Sequence, residues 1–194
     1  AVKVEAVRLT GKVKPGVGPQ DVALALIGAV FADGFVKNAV LEFIGDGIKS
    51  LPAEYRNGID VMTTETACLS SIWCTDEEIR RYYEKHGRAQ EYRPLQPQQG
   101  ALYDRAVVID LSAGEPMIAM PFHPSLVYKI ADVRDNPKDV LHACEQRAKE
   151  QLGGVELHLT DKLENGKLRV DQGVIAGCAG GTYDNLCAAA DILR

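Results

Sequence analysis

The feature that most constrains this chain is an alternation. Short apolar, strand-like runs take turns with segments whose apolar residues recur at helical spacing, and Gly or Pro stands at most borders. Val2 to Leu9, Ala39 to Ile44, Ala106 to Leu111, Pro116 to Met120, Val155 to Thr160 and Val170 to Ala176 are the strand-like runs. Pro19 holds the place favoured for a first helical residue, and Val22, Leu24, Leu26, Ile27, Val30 and Phe31 follow as a helix. From Ser50 onward, Tyr55, Ile59, Met62, Thr66 and Leu69 recur as the stripe of one helix. Thr75-Asp76-Glu77-Glu78 has the form of a capping box, with Thr75 as cap, opening a helix that runs to about His86 and stops at Gly87. Asn136-Pro137 opens another, ended by Gly153-Gly154, and Asn165-Gly166 marks a polar turn. Strands alternating with helices predict an α/β fold of three α/β/α layers around a mixed or mostly parallel sheet. The Pro- and Gln-rich stretch 91–104 is the best linker, dividing the chain into two connected α/β lobes, 1–90 and 105–194.

Composition excludes several function classes. With 46% hydrophobic and 25% charged residues, the chain has the balance of a soluble globular protein. A net charge of −5 without a Lys/Arg cluster gives no footprint for phosphate backbones, so no nucleic-acid partner is expected. No apolar run approaches the ~20 residues that cross a bilayer, and no signal-peptide pattern is present, so no membrane role is expected. Five cysteines, an odd number without a CxxC pair, argue against a secreted disulfide scaffold and for a reducing, cytoplasmic setting. Local motifs therefore cannot complete a zinc or iron–sulfur site. The chain begins with Ala1, and Asp184 to Arg194 reads as a helix without a Gly or Pro stop, so it is expected to be an excerpt of a longer polypeptide.

Two residues stand out chemically. Cys178 lies in Gly177-Cys178-Ala179-Gly180-Gly181, after an apolar run and before a helix. A thiolate is favoured beside a helix N-terminus, which suits a metal ligand or nucleophile. A small buried cysteine in a tight turn fits the same local pattern. Glu65 sits close to the apolar stripe of its helix, either in a polar pocket or with its tip exposed at the boundary. His123, in Pro121-Phe122-His123-Pro124, fits a site loop or a rigid turn, and the prolines favour the turn. No HExxH, GxGxxG or GxxxxGK[ST] motif is present.

Taken in order, the motifs resemble the aconitase and isopropylmalate dehydratase family over nearly the whole chain. Arg8-Leu9-Thr10-Gly11 with Pro19-Gln20-Asp21-Val22 resembles the family's KLTG and KDV segments. Glu42 to Ile48 resembles EYxGxGV, and Met62 to Glu65 with Ser71-Ile72-Trp73 and Asp76-Glu77 resembles NMxxExGATTxxFPxDE. Ile109-Asp110-Leu111-Ser112, Glu115-Pro116 and Pro121-Phe122-His123-Pro124 resemble its DLSxLEP and PFxP segments, and Val174 to Leu186 resembles VxIGSCTNxxYED. The resemblance implies an aconitase-like iron–sulfur domain segment, with residues 1–90 as the middle-domain lobe. It implies a hydro-lyase that dehydrates and rehydrates a small hydroxy-polycarboxylic acid at a 4Fe-4S cluster. By position, Cys178 matches the first of three cysteine ligands, and Glu65 matches a catalytic carboxylate beside the open iron. The other two ligands are expected outside this chain, in remaining domains of the same polypeptide. The isolated segment is accordingly expected to hold no stable cluster and to be inactive, with Cys178 and Glu65 facing one open cleft. Gly177-Cys178-Ala179-Gly180 departs from the family's Ser-Cys-Thr-Asn, Val61 replaces an Asn, and Cys74 replaces a Pro. Those departures leave an alternative reading: a degenerate aconitase-like domain acting as a binding or structural module.

Overall fold

The structure is a computed structural model and describes residues 2–194. Its frame is a four-stranded sheet of β1 (Lys3–Thr10), β2 (Ala39–Ile44), β3 (Ser70–Trp73) and β4 (Arg105–Asp110), in the order β3-β2-β1-β4. Every pairing is parallel. Parallel neighbours cannot be joined by a tight turn, so each step needs a crossover. Helix α1 (Pro19–Val30) carries the chain from β1 to β2, and α2 (Ala53–Asp60) carries it from β2 to β3. After α3 (Glu77–Lys85), the irregular stretch through 91–104 returns the chain to the opposite edge, where β4 pairs with β1. This is the expected α/β architecture with a parallel sheet flanked by helices.

Alternation along the strands makes the core. Val7 and Leu9 of β1 and Leu41 and Phe43 of β2 are fully buried beneath Val22, Leu26 and Val30 of α1 and Ile59 of α2. Each such side chain contributes about 1.5–3 kcal/mol on leaving water. The Trp73 ring lies flat on Phe43, with centroids 4.0 Å apart and planes 2° off parallel. A second core gathers Met120, Val133, Val140, Leu141 and Cys144. It joins the antiparallel pair β5 (Met117–Ala119) and β6 (Val127–Lys129) to α4 (Ile130–Asp135), α5 (Pro137–Gln151) and the hairpin β7 (Leu163–Glu164) and β8 (Lys167–Leu168). The small unit is pinned to α1, where Met117 N–H donates to Asp21 Oδ1 at 2.6 Å. Because β4 follows 91–104 yet hydrogen-bonds to β1, a cut at 105 passes through the sheet, and the second core begins with β5.

Several expected elements differ. Val155 to Thr160 and Val170 to Ala176 form no strand, and Val170, Val174 and Ile175 are 72%, 74% and 51% exposed. A strand's hydrogen bonds are made with a neighbour, and neither run lies against a sheet edge. The single helix expected from Ser50 to Leu69 is cut short. Helix α2 ends at Asp60, a 3₁₀ turn spans Thr63–Thr66, and Ala67 is left-handed at φ 61°. Thr63 and Thr66 donate their hydroxyls to Asp60 O and Thr63 O, both at 2.7 Å. Such local bonds compete with the helical ladder. The cap of α3 is Asp76, whose Oδ1 accepts from Glu78 N and Ile79 N. Thr75 is instead held by the 91–104 stretch, accepting from Leu95 N at 2.7 Å.

One buried cation ties these pieces together. Arg56, 2% exposed, donates to Leu51 O at 3.0 Å, Ile48 O at 3.1 Å and Asp76 Oδ2 at 2.7 Å. Replacing it with Met strands a carboxylate and two carbonyls, so Arg56→Met should cost about 3–5 kcal/mol, read from urea midpoints. Asp76→Asn, which keeps a capping oxygen, should cost less. A second polar group is buried at a cost. Glu5 on β1 is 1% exposed, with Oε2 unpartnered, and burial pushes its carboxyl above 4.5 despite opposition from Arg105. A carboxyl raised in the folded state contributes stability below its unfolded value, and loses it as pH rises through the folded one. Glu5→Gln should therefore stabilise the fold at neutral pH and bring little benefit below pH 4.5. Equal effects at both pH values would contradict this assignment.

Candidate functional site

The two ends of α1 hold the two groups of interest. At its C-terminal end, the 3₁₀ turn after α2 presents Glu65 outward, its backbone held in place by the Thr63 and Thr66 hydroxyls. Opposite it stands His123, in the turn between β5 and β6, with Nε2 3.9 Å from Glu65 Oε2. Both side chains are open to solvent, 42% exposed for His123 and 45% for Glu65. The turn is closed by Leu126 N–H donating to His123 O at 2.9 Å and Met120 N–H donating to Leu126 O at 2.8 Å. The imidazole is fixed on both sides. Its ring lies over Phe31 with centroids 4.1 Å apart. Ser125 N–H donates to Nδ1 at 3.1 Å, with the Ser125 hydroxyl 3.0 Å from the same nitrogen. Since Nδ1 accepts a backbone N–H, the proton of the neutral ring sits on Nε2, facing Glu65. A carboxylate and an oriented imidazole, open to solvent and one small shift or one water apart, are equipped for proton transfer.

At the N-terminal end, Cys178 lies in the single turn α6 (Gly177–Gly180), entered through Gly177 at φ 81°. That turn packs against α2 and the start of α1. Ala179 O accepts from the Gln20 amide and from Asn185 Nδ2, the latter at 3.0 Å. Asp184 N–H, in the first turn of α7 (Tyr183–Leu193), donates to Glu54 Oε2 at 3.1 Å. Gly58 permits α2 to approach the start of α1, because a Cβ there would stand 2.8 Å from Pro19. The Cys178 thiol is exposed. Gln20, near the start of α1, thus bonds the Cys178 turn, and Phe31, at its end, carries the His123 ring that faces Glu65. Gln20 and Phe31, which mark those ends, are about 16 Å apart along the axis at the helical rise. Glu65 is joined to His123, the residue on which the sequence was ambiguous, and not to Cys178.

The buried and half-buried cysteines do not extend the Cys178 site. Cys74 and Cys144 are buried, and burial pushes both thiols up toward the neutral, unreactive form. Cys68 is half-buried, with Sγ donating to Thr63 O at 3.3 Å. Among the described residues, no group of three or more His, Cys, Asp or Glu side chains is placed to hold a metal ion.

Comparison with protein families matches residues 1–194 to the aconitase family (aconitate hydratase). The chain belongs to the aconitase family. Similar relatives include the 3-isopropylmalate dehydratase large subunits of Lachnoclostridium phytofermentans, 30% identical over 96% of this chain, and Elusimicrobium minutum, 26% identical over 97%. The mitochondrial homoaconitase of Candida parapsilosis is 27% identical over 98% of the chain. The chain spans 36% and 37% of the two dehydratase subunits and 25% of the homoaconitase. Aconitase-family members generally carry a 4Fe-4S cluster. The residues described here do not fit such a cluster by themselves: three cysteine ligands are needed, and no group of three or more ligating side chains is gathered among the described residues.

Two measurements check this geometry. In ¹⁵N-resolved imidazole spectra, neutral His123 should appear as the Nε2–H tautomer, and an Nδ1–H tautomer would contradict the Ser125 contact. Under native conditions a thiol reagent should label Cys178 and Cys187 promptly, and Cys74 and Cys144 only on unfolding.

Proposed function

We propose that the chain is a segment of an aconitase-family hydro-lyase which, in the intact polypeptide, reversibly dehydrates a small hydroxy-polycarboxylic acid. Glu65 is the catalytic carboxylate of this reading. Cys178 supplies one thiolate ligand of a 4Fe-4S cluster, and the remaining ligands come from other domains of the same polypeptide. When bound, such a cluster supplies Lewis acidity toward a leaving hydroxyl. These residues alone do not assemble its ligand set. The observation that carries the proposal is the exposed Glu65–His123 pair in a chain that matches the family end to end. Dehydration removes a proton from the carbon next to a carboxylate and a hydroxyl from its neighbour. A carboxylate facing an imidazole of fixed tautomer can accept that proton at Oε2 and return it in the hydration direction. No helix among the described residues is long and apolar enough to cross a membrane, and the proposed setting is the cytoplasm.

One observation favours the second reading, a degenerate module. The Gly177-Cys178-Ala179-Gly180 turn offers no polar side chain beside the thiol, and ligand shells usually depend on such groups. The deciding experiment uses the intact polypeptide, reconstituted anaerobically with iron and sulfide and assayed on hydroxy acids. Under the hydro-lyase reading, Cys178→Ser sharply lowers iron content. Glu65→Gln keeps the iron and lowers kcat by about 10²–10⁴. A reconstituted protein that takes up no iron, or whose iron content ignores Cys178→Ser, supports the module instead.

A further inference from the structure

Beside the Glu65–His123 pair lies a pocket of about 340 Å³, enclosed by the end of α1, the Pro121–Leu126 turn and α5. Its apolar wall is made by Phe31 and Phe122, and its polar groups are His123, Ser125, Arg147 and Gln151. We propose that this pocket binds one carboxylate of a small organic acid, with Arg147 as the charged anchor and Gln151 and Ser125 as neighbouring hydrogen-bonding groups.

The argument begins with α5. Cys144 and Ala148 are fully buried and lock this helix onto the second core. Arg147 and Gln151, four residues apart, therefore stand as neighbours on one face, and both line the pocket. Among the described residues, Arg147 makes no ion pair, unlike Arg80, Arg81, Arg88, Arg134 and Arg169, each paired with a carboxylate within five residues. Arg8, Arg93 and Arg105 are likewise without an ion pair, but of these four only Arg147 lines the pocket. A guanidinium fork beside an amide is the donor geometry that a planar carboxylate accepts. Ser125 adds a hydroxyl, and its backbone N–H is already engaged by His123. The charge balance selects among anions. One cation faces the pocket, and Glu65 stands just across the His123 ring. A phosphate dianion, with both charges on one centre, is poorly matched by that arrangement, whereas an acid with two carboxylates places one at Arg147 and leaves the other in solvent outside the pocket. His123 then lies between the two partners: its Ser125 side borders the pocket and its Nε2 faces Glu65. An acid held by Arg147 is thereby delivered next to the proposed proton-transfer pair. The assignment deepens the hydro-lyase reading, on which it rests for the reaction but not for the chemistry of the pocket.

The test is calorimetric titration of the intact polypeptide with malate, and separately with inorganic phosphate. Arg147→Gln should weaken malate binding by about tenfold or more, as expected for a lost charge-assisted hydrogen bond. Arg147→Lys, which keeps the charge, should retain part of the affinity and guards against misfolding of the Gln variant. Arg134→Gln, on a residue already paired with Asp135, should bind malate as the parent does. Saturable malate binding that Arg147→Gln leaves unchanged, no saturable malate binding, or phosphate binding as tightly at the same residues would each overturn the assignment. The two readings fail separately. Arg147-dependent malate binding in a protein that turns over no hydroxy acid sinks the hydro-lyase and keeps the pocket. Turnover with binding indifferent to Arg147 does the reverse.

Discussion

Parallel pairing of β1 on both of its edges is the constraint from which the rest follows. A strand flanked by two parallel neighbours is buried, and each neighbour must be reached by a crossover long enough to travel its length. Helix α1 is the first of these crossovers and packs directly over Val7, Leu9, Leu41 and Phe43. Everything of chemical interest is then hung on α1. The Cys178 turn is bonded through Gln20 at its start, β5 through Asp21 in its first turn, and the His123 ring through Phe31 at its end. The sheet does not itself form the site. It fixes the rod that carries the Cys178 turn at its start and the His123 ring at its end.

Polar burial fixes the supporting elements in the same way. Arg56 is held by two carbonyls near the start of α2 and by the capping carboxylate of α3, so the second crossover and the third helix share one cation. Burying such a charge is costly unless it is paired, and although Nη1 is left without a partner, the three bonds Arg56 makes leave little freedom in how α2 meets α3. Glu5 has no comparable partner for Oε2 and is held by the burial of its strand. The first group organises the fold; the second is tolerated by it.

What was legible in the sequence follows the same division. Elements that carry their own signal were readable: Ala39–Ile44 as a short strand, Pro19 as the first residue of α1, Asn136-Pro137 as the start of α5, and Asn165-Gly166 as a polar turn. Elements that depend on a distant partner were not. Val170 to Ala176 has the composition of a buried strand, but composition cannot say whether a sheet edge is within reach. The stripe from Tyr55 to Leu69 has helical spacing, but Thr63 and Thr66 satisfy nearby carbonyls themselves and end the ladder early. Glu65 and Cys178 were singled out through family resemblance, since nothing in their local pattern distinguishes a site from a turn. His123 was ambiguous because its two possible roles coincide: the rigid turn is what aims the ring.

Arg147 had no sequence signal at all. It looks like any solvated helix residue until the lining of the pocket is considered. Several other arginines, among them Arg80, Arg81 and Arg88, are matched with carboxylates a few residues away. Such solvent-screened pairs do little for stability, but they neutralise the charges they join. A guanidinium left without a partner, on a rigid helix and over a pocket that also holds an amide, a hydroxyl and an imidazole, is where an external carboxylate finds unopposed positive charge. The pocket's second wall belongs to α1, packed on the sheet, and its third to the β5–β6 turn, held against α1. Binding there would therefore require little reordering of the chain, and the strength of the site would rest on the charge of Arg147 rather than on induced fit.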